Sequence, residues 1–143
     1  MLFRSDILNN KGNVAITISI DHRLADAVNL LAQKRIGALP VLSSSGALQG
    51  ILSERDIIRA LAHNPDALSD RVAQHMTQRV ITCSPDFSVA DVMSIMTQGR
   101  FRHLPIVDGQ GLIGIISIGD VVKAHIDEIV EDNKHMMSYI ASA

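Results

Sequence analysis

Ser53-Glu54-Arg55-Asp56 and Ser117-Ile118-Gly119-Asp120 each place a hydroxyl and a carboxylate three residues apart. At the start of a helix this spacing makes a capping box: the hydroxyl accepts from the N3 amide and the acid reaches back to the cap amide. Ser88-Val89-Ala90-Asp91 has the same form, so the device is in use in this chain. The same groups have a second chemistry. Carboxylates at Asp56 and Asp120 would accept from the paired hydroxyls of a sugar, while helix-start amides and the serine hydroxyls receive phosphate. On spacing alone, capping is the stronger reading.

Arg100-Phe101-Arg102-His103, just before Leu104-Pro105, shifts the balance. A capping box has no use for two guanidiniums and an imidazole beside it, whereas a phosphate does. Arg100 reads as a cation at a helix C-terminus, where the dipole favours it, and Arg35 matches it. Arg102 and His103 stand where the first half of the chain has Gly37 and Ala38, so the backbone does not require them. They are the preferred phosphate ligands.

Other chemistries find little support. Gly109-Gln110-Gly111-Leu112-Ile113-Gly114 matches G-x-G-x-x-G, but Ile115-Ile116-Ser117 follows as a strand, not a helix. A dinucleotide fingerprint needs the helix, so a hairpin turn is the better reading. The histidines at 22, 63, 75, 125 and 135 show no metal-ligand spacing, and Cys83 is alone. No nucleophile elbow or Walker A run is present, and no case for catalysis emerges.

The elements that must hold these groups come in duplicate. Thr17 to Ala60 realigns on Thr82 to Ala124 at an offset of 65 residues, 64 after a one-residue gap near Ala47. The matches include Pro40 with Pro105, Gly50 with Gly114, Ser53 with Ser117 and Asp56 with Asp120. Two copies of a unit too small to bury its own core predict a pseudo-twofold pair with clefts along the seam. Within a copy, Val14 to Ile18 alternates as a strand, and Asp21 is a candidate N-cap. Leu24, Ala27, Val28 and Leu31 mark a helical stripe, echoed by Val89, Val92, Met93 and Met96. Strands at 37–42 and 48–53 flank a turn at 43–46, and a helix opens at Ser53. Pro40 points to an edge position or the opening of its strand. Each copy therefore reads strand, helix, strand, strand, helix, an α/β (α+β) arrangement of two β-α-β-β-α repeats. A short helix over 5–12, a helical linker over 66–79 and a long helical tail past Asp120 complete the chain. The tail's apolar residues either close over the module or dock on a partner copy.

The bulk properties agree. The chain has 143 residues, 47% hydrophobic and 20% charged, which is globular. Aromatics are 3%, so platforms for stacking single-stranded nucleic acid are nearly absent. A net charge of −2 supplies no basic footprint for a duplex or an anionic membrane. No apolar run approaches a membrane span and no signal-type h-region opens the chain, so the expectation is a cytoplasmic protein.

Two copies of strand–helix–GALPV–strand–S-x-x-D–helix, with GRFRHLPIVD and GIISIGDVVKA in the second, closely resemble a tandem cystathionine-β-synthase-type (CBS) domain pair of the small stand-alone bacterial kind. The resemblance implies a lead-in over 1–13, repeats over 14–65 and 80–130, a linker over 66–79 and a tail over 131–143. It further implies an adenosine-containing ligand: AMP, ADP, ATP or NAD, with S-adenosylmethionine less favoured. One cleft would use Asp120 on the ribose with Ser117 and Gly119 near it. Thr17 and the backbone of Ile36, Gly37 and Ala38 would meet the base, and Arg102 or His103 the phosphate. The related cleft would use Asp56, with Ser53 and Arg55 adjacent, Thr82, and the backbone of Phe101 and Arg102. A flat homodimer is also implied, and with it a regulatory sensor of adenine nucleotides that is not an enzyme and that acts on an unidentified partner. The rival from another class is a ligand-independent homodimeric scaffold pairing through its tail helix.

Overall fold

A computed structural model describes residues 16–109 and 111–142. In chain order the elements are β1 (Ile18–Ser19), α1 (Leu24–Lys34), β2 (Ala38–Leu42), β3 (Leu48–Ser53) and α2 (Glu54–His63). A 3-10 turn (Ala67–Ser69) and the single-turn α3 (Val72–His75) bridge to the second copy. There α4 (Val89–Gly99), β4 (His103–Asp108), β5 (Gly111–Ser117) and α5 (Ile118–Ser142) follow. The expected helix over 5–12 lies outside the described residues.

The duplication holds down to individual hydrogen bonds. β2 pairs antiparallel with β3 through Ala38–Ser53, Leu39–Leu52, Pro40–Ile51 and Val41–Gly50, then bulges. β4 pairs with β5 through His103–Ser117, Leu104–Ile116, Pro105–Ile115 and Ile106–Gly114, with the bulge at the equivalent place. Arg35 and Arg100 both cap the first helix of their copy in the left-handed conformation, at φ 55° and 57°. Their successors Ile36 and Phe101 donate to Leu31 and Met96. The expected hairpin turns also form. Gly46 takes φ 86° and donates to Ser43, and Gly111 takes φ 117°, conformations that a side chain would strain. β5, from Gly111, pairs antiparallel with β4, so a strand and not a helix follows the glycines.

Three expectations are corrected. The opening strand of the second copy shrinks to one parallel bridge, Cys83 to Ile106, the counterpart of the Ile18–Val41 pairing in the first. Pro40 is not at a sheet edge: β2 is the central strand of the order β1-β2-β3. It is tolerated there because Ile51, its partner on β3, turns its own N–H and C=O to Thr77 on the far side, at 3.0 and 2.9 Å. No β2–β3 ladder bond therefore needs the missing N–H. Asp21 does not cap α1. Arg23 holds that position, as Ser88 does in the second copy, and Asp26 closes back on the Arg23 amide at 3.0 Å. The linker finishes the cap, since Leu24 donates to Asp70 and Val72 to His22.

The apolar interior is two clusters, one per copy. Leu24, Leu39, Val41, Leu52, Ala67 and Val72 are fully buried in the first. Val92, Leu104, Ile106 and Ile116 anchor the second, with Cys83, whose thiol burial pushes up to about 11. Contrary to the expectation that one unit is too small to bury its own core, the two clusters are separate, the first completed by Ala67 and Val72 of the connecting segment. α5 packs on the second cluster through Val121 and Ala124 and then runs on, about 38 Å in all at 1.5 Å per residue. The tail does not close over the module: Ile126, Ile129, Met136, Met137 and Ile140 remain 46–71% exposed. Among the described residues no helix is long and apolar enough to cross a membrane.

Candidate functional site

β3 ends at Ser53 and α2 begins at Glu54, so the strand-to-helix junction points the first turn of α2 at the seam. The capping box forms as drawn from the sequence. Asp56 Oδ2 accepts from the Ser53 amide at 2.9 Å and from its hydroxyl at 3.1 Å, and the Asp56 amide donates to Ser53 Oγ at 3.3 Å. Asp56 is only 8% exposed, the one charged side chain among the described buried residues. Its other oxygen, Oδ1, faces Arg59 Nη1 at 3.5 Å, one turn further along α2. Capping therefore engages one carboxylate oxygen and leaves the second directed toward a cation. The Ser117–Asp120 pair repeats the box at the start of α5, at 2.9 and 3.2 Å.

Around Asp56 lies a cavity of about 300 Å³ drawn from both copies. The first copy contributes Gly37, Ser53, Glu54, Arg55 and Arg59, and the second contributes Arg100, Phe101, Arg102 and His103. The connecting segment adds Thr77, Arg79, Val80 and Ile81. The second copy approaches the first at Gly37, where an added Cβ would lie 3.3 Å from His103 Nε2. Within each copy the strand-to-helix junction closes in the same way: Glu54 donates to the Gly37 carbonyl at 3.0 Å, and Ile118 to that of Arg102 at 2.8 Å. Among the described residues no cluster of three or more His, Cys, Asp or Glu could hold a metal ion.

Of the residues singled out in the sequence, the structure brings Gly37, Ser53, Arg55, Asp56, Phe101, Arg102 and His103 into this one cavity. Ser117, Gly119 and Asp120 do not line it, nor do Thr17, Ile36, Ala38 and Thr82. Thr82 follows Val80 and Ile81, which do. Ile36 faces a shallow groove between α1 and α2, with Val28, Leu31, Ile57 and Ile58. Ala38 is buried in β2 against Ser53. Arg102 and His103 thus share a lining with Asp56, and the cavity stays open beside their bulk. Arg59, Arg79 and Thr77 were not singled out. Arg59 carried a usable signal, its i+3 spacing from Asp56 on one helix face. Arg79 and Thr77 carried none, because a linker residue's position is set by how the copies dock.

A repeated sheet-and-helix unit whose two copies meet over a buried, helix-start carboxylate defines the class: a tandem CBS module. The CBS domain family matches this chain twice, over residues 5–63 and 72–127, and the chain belongs to that family. A CBS-domain protein of Agrobacterium tumefaciens has a similar structure, with a TM-score of 0.80, 40% identity, and coverage of 84% of this chain and 90% of that one. The mitochondrial CBS-domain protein CBSX3 of Arabidopsis thaliana is 35% identical over 145 residues, covering 95% of this chain and 70% of the relative. The CBS domain pair of protein MJ0100, solved with 5'-methylthioadenosine and S-adenosyl-L-methionine, superposes with a TM-score of 0.74 at 28% identity, over 80% of this chain and 90% of that one.

Proposed function

We propose that this chain is a regulatory module that binds an adenosine-containing ligand in the seam cleft and carries no catalytic chemistry of its own. The observation that supports it is the buried Asp56 carboxylate, held by Ser53 through Oδ2 with Oδ1 turned to the cavity side cation Arg59. Oδ1 is the acceptor for ribose hydroxyls in this reading, and Val80, Ile81 and Phe101 supply apolar surface for a base. The volume matches the lower end of small-molecule pockets. The adenosyl ligands held by the MJ0100 pair favour the same class of occupant. Thr17, Ile36, Ala38, Ser117, Gly119 and Asp120 are assigned to the second, pseudo-symmetric position, and Thr82 to the Asp56 cleft, next to Val80 and Ile81 in its lining.

The test presumes no ligand: small molecules released from the purified, denatured protein are identified by mass spectrometry. An adenosine derivative at near-stoichiometric amount is expected, and its recovery should fall in an Asp56→Asn protein. When the ligand is added back at 100 times its dissociation constant, the folded state gains about 2.7 kcal/mol. Release of no adenosine derivative, together with no thermal shift from any of them, refutes the reading.

The output of the module is a second copy of this chain. Val122, Ile126, Ile129, Asn133, Met136 and Ile140 follow the 4-3-4-3-4 spacing of a heptad seam along α5. Val122, Ile126, Ile129, Met136 and Ile140 are 46–68% exposed, and Asn133 stands at a central core position, where one polar residue sets register. Covering this face with its own copy removes on the order of several hundred Å² per partner, close to the ~800 Å² of a standard interface. The backbone link from Arg102 to Ile118 joins the cleft to the start of the same helix. A ligand that contacts Arg102 differently in two states would shift their populations, and with them the tail. Ile129→Asp is expected to convert a dimer to a monomer in sedimentation, while the circular dichroism of the module is retained. A dimer that survives this change and Ile126→Asp refutes pairing through the tail.

A further inference from the structure

We infer that two copies of the tail helix pair in parallel, with Asn133 facing the partner's Asn133, so that both modules lie at one end of the paired helices. This orientation presupposes that α5 pairs with its own copy, as proposed above, and is decided by different residues. Two rows run along α5 at seven-residue steps: Ile126, Asn133 and Ile140 in one, Val122, Ile129 and Met136 in the other. Their five apolar members are 46–68% exposed, while Val121 and Ala124, on a different face, are buried against the second core. The helix is thus built and anchored before it pairs, so pairing orders little further chain. The charges of the tail keep clear of the rows. Asp127, Glu128, Glu131, Lys134 and His135 fall at outer positions, where Glu131 and His135 lie 3.5 Å apart.

In a parallel pair each core residue meets its own counterpart, so Asn133 meets the partner's Asn133. A side-chain amide both donates and accepts, and two facing amides satisfy each other. In the antiparallel pair that keeps all six positions in layers, the rows interleave. Asn133 then meets the partner's Ile129, and Ile126 the partner's Met136. That arrangement buries two amides against isoleucine without a hydrogen-bond partner, which is the costly case. The flank agrees. Asp132 beside the rows would face the partner's Asp132 in the antiparallel pair, and the partner's Met137 in the parallel one. One contact favours the antiparallel pair: Val130, 46% exposed, would meet the partner's Val130. It lies at the rim, where burial is partial, and does not offset two stranded amides and two facing acids. Because each module precedes its tail, parallel pairing sets the two α5 starts side by side. Each start includes Ile118, bonded to the carbonyl of Arg102 in the cleft wall, so both clefts act on the same end of one helix pair.

Disulfide trapping in the full chain tests the orientation. Ile126→Cys and Met136→Cys proteins are mixed in equal amounts under reducing conditions, oxidised in a glutathione buffer, and the covalent dimers identified by mass. Cys83 is 2% exposed with its thiol pushed up to about 11, so it should stay reduced, and the parent chain is the control. Residues 126 and 136 are about 15 Å apart along one helix, and a disulfide bridges Cα atoms only about 4.4–6.8 Å apart. Parallel pairing is expected to give the two homodisulfides and no mixed one. A mixed disulfide, alone or beside the homodisulfides, overturns the parallel orientation and leaves pairing through the tail intact. No disulfide of any kind, with a monomer or an unchanged dimer in sedimentation, overturns pairing through the tail and the orientation with it. Adding Asn133→Ile to both proteins should let the mixed disulfide appear, since the amides no longer choose between directions. Homodisulfides alone in that background overturn the role of Asn133.

Discussion

Asp56→Ala is expected to weaken the adenosine ligand about 10–100-fold and, separately, to cost the ligand-free protein about 1–2 kcal/mol. The first effect follows from losing a charged hydrogen-bond acceptor, which contributes roughly 1.5–3 kcal/mol to a complex. The second follows from losing the cap: Asp56 closes on the Ser53 amide at 2.9 Å, and cap removal costs ~0.5–2 kcal/mol. Asp91→Ala separates the two. Its carboxylate makes the same box with Ser88, at 3.0 Å, and the Ser88 hydrogen bonds hold its pKa below the usual carboxylate range. It does not line the cleft. Thermal melts should therefore fall in both variants, and titration should show lost affinity in Asp56→Ala alone. Equal affinity loss in both, or in neither, would return the S-x-x-D motif to a purely structural role.

Gly50→Ala is expected to destabilise the protein by about 1–3 kcal/mol, the usual cost of overpacking, and to lower its melting temperature by roughly 3–10 °C. A Cβ at Gly50 would lie 2.6 Å from the Thr77 carbonyl oxygen and 2.9 Å from Met76 Sδ. The thioether can swing away, but the carbonyl belongs to backbone that is bonded to Ile51 in both directions. Relief requires the connecting segment to lift from β3. Thr77 and Ile51 both line the cleft, so the same movement opens its floor and weakens the ligand. Chemical denaturation and titration of one protein measure both consequences. A melting temperature equal to the parent's would show that the segment does not seal against β3.

Local patterns carried much of this fold because they rest on interactions within a few residues. The S-x-x-D boxes, the helical stripe from Leu24 to Leu31 and the glycine hairpins were legible for that reason. The repeat carried the rest of the frame: the offset of 65 that holds as far as the gap near Ala47 places Cys83–Ile106 where the first copy has Ile18–Val41. Legibility failed where a distant segment intervened. Asp21 was a reasonable cap on composition, but the Asp70 carbonyl and the Arg23 amide settle where α1 begins. Pro40 reads as an edge residue until Thr77 is seen to take the outer bonds of Ile51.

By itself, then, the order of residues determined the duplicated architecture, the capping acids and the family, because periodicity and short-range hydrogen bonding are written in adjacent positions. Only the tertiary structure decided that Arg59, Arg79, Arg100 and Arg102 share one cavity with Asp56 while Asp120 does not line it. These arginines sit on a helix, a linker and a loop of different copies. Their common address depends on how two separately built cores dock, and no spacing along the chain encodes that angle.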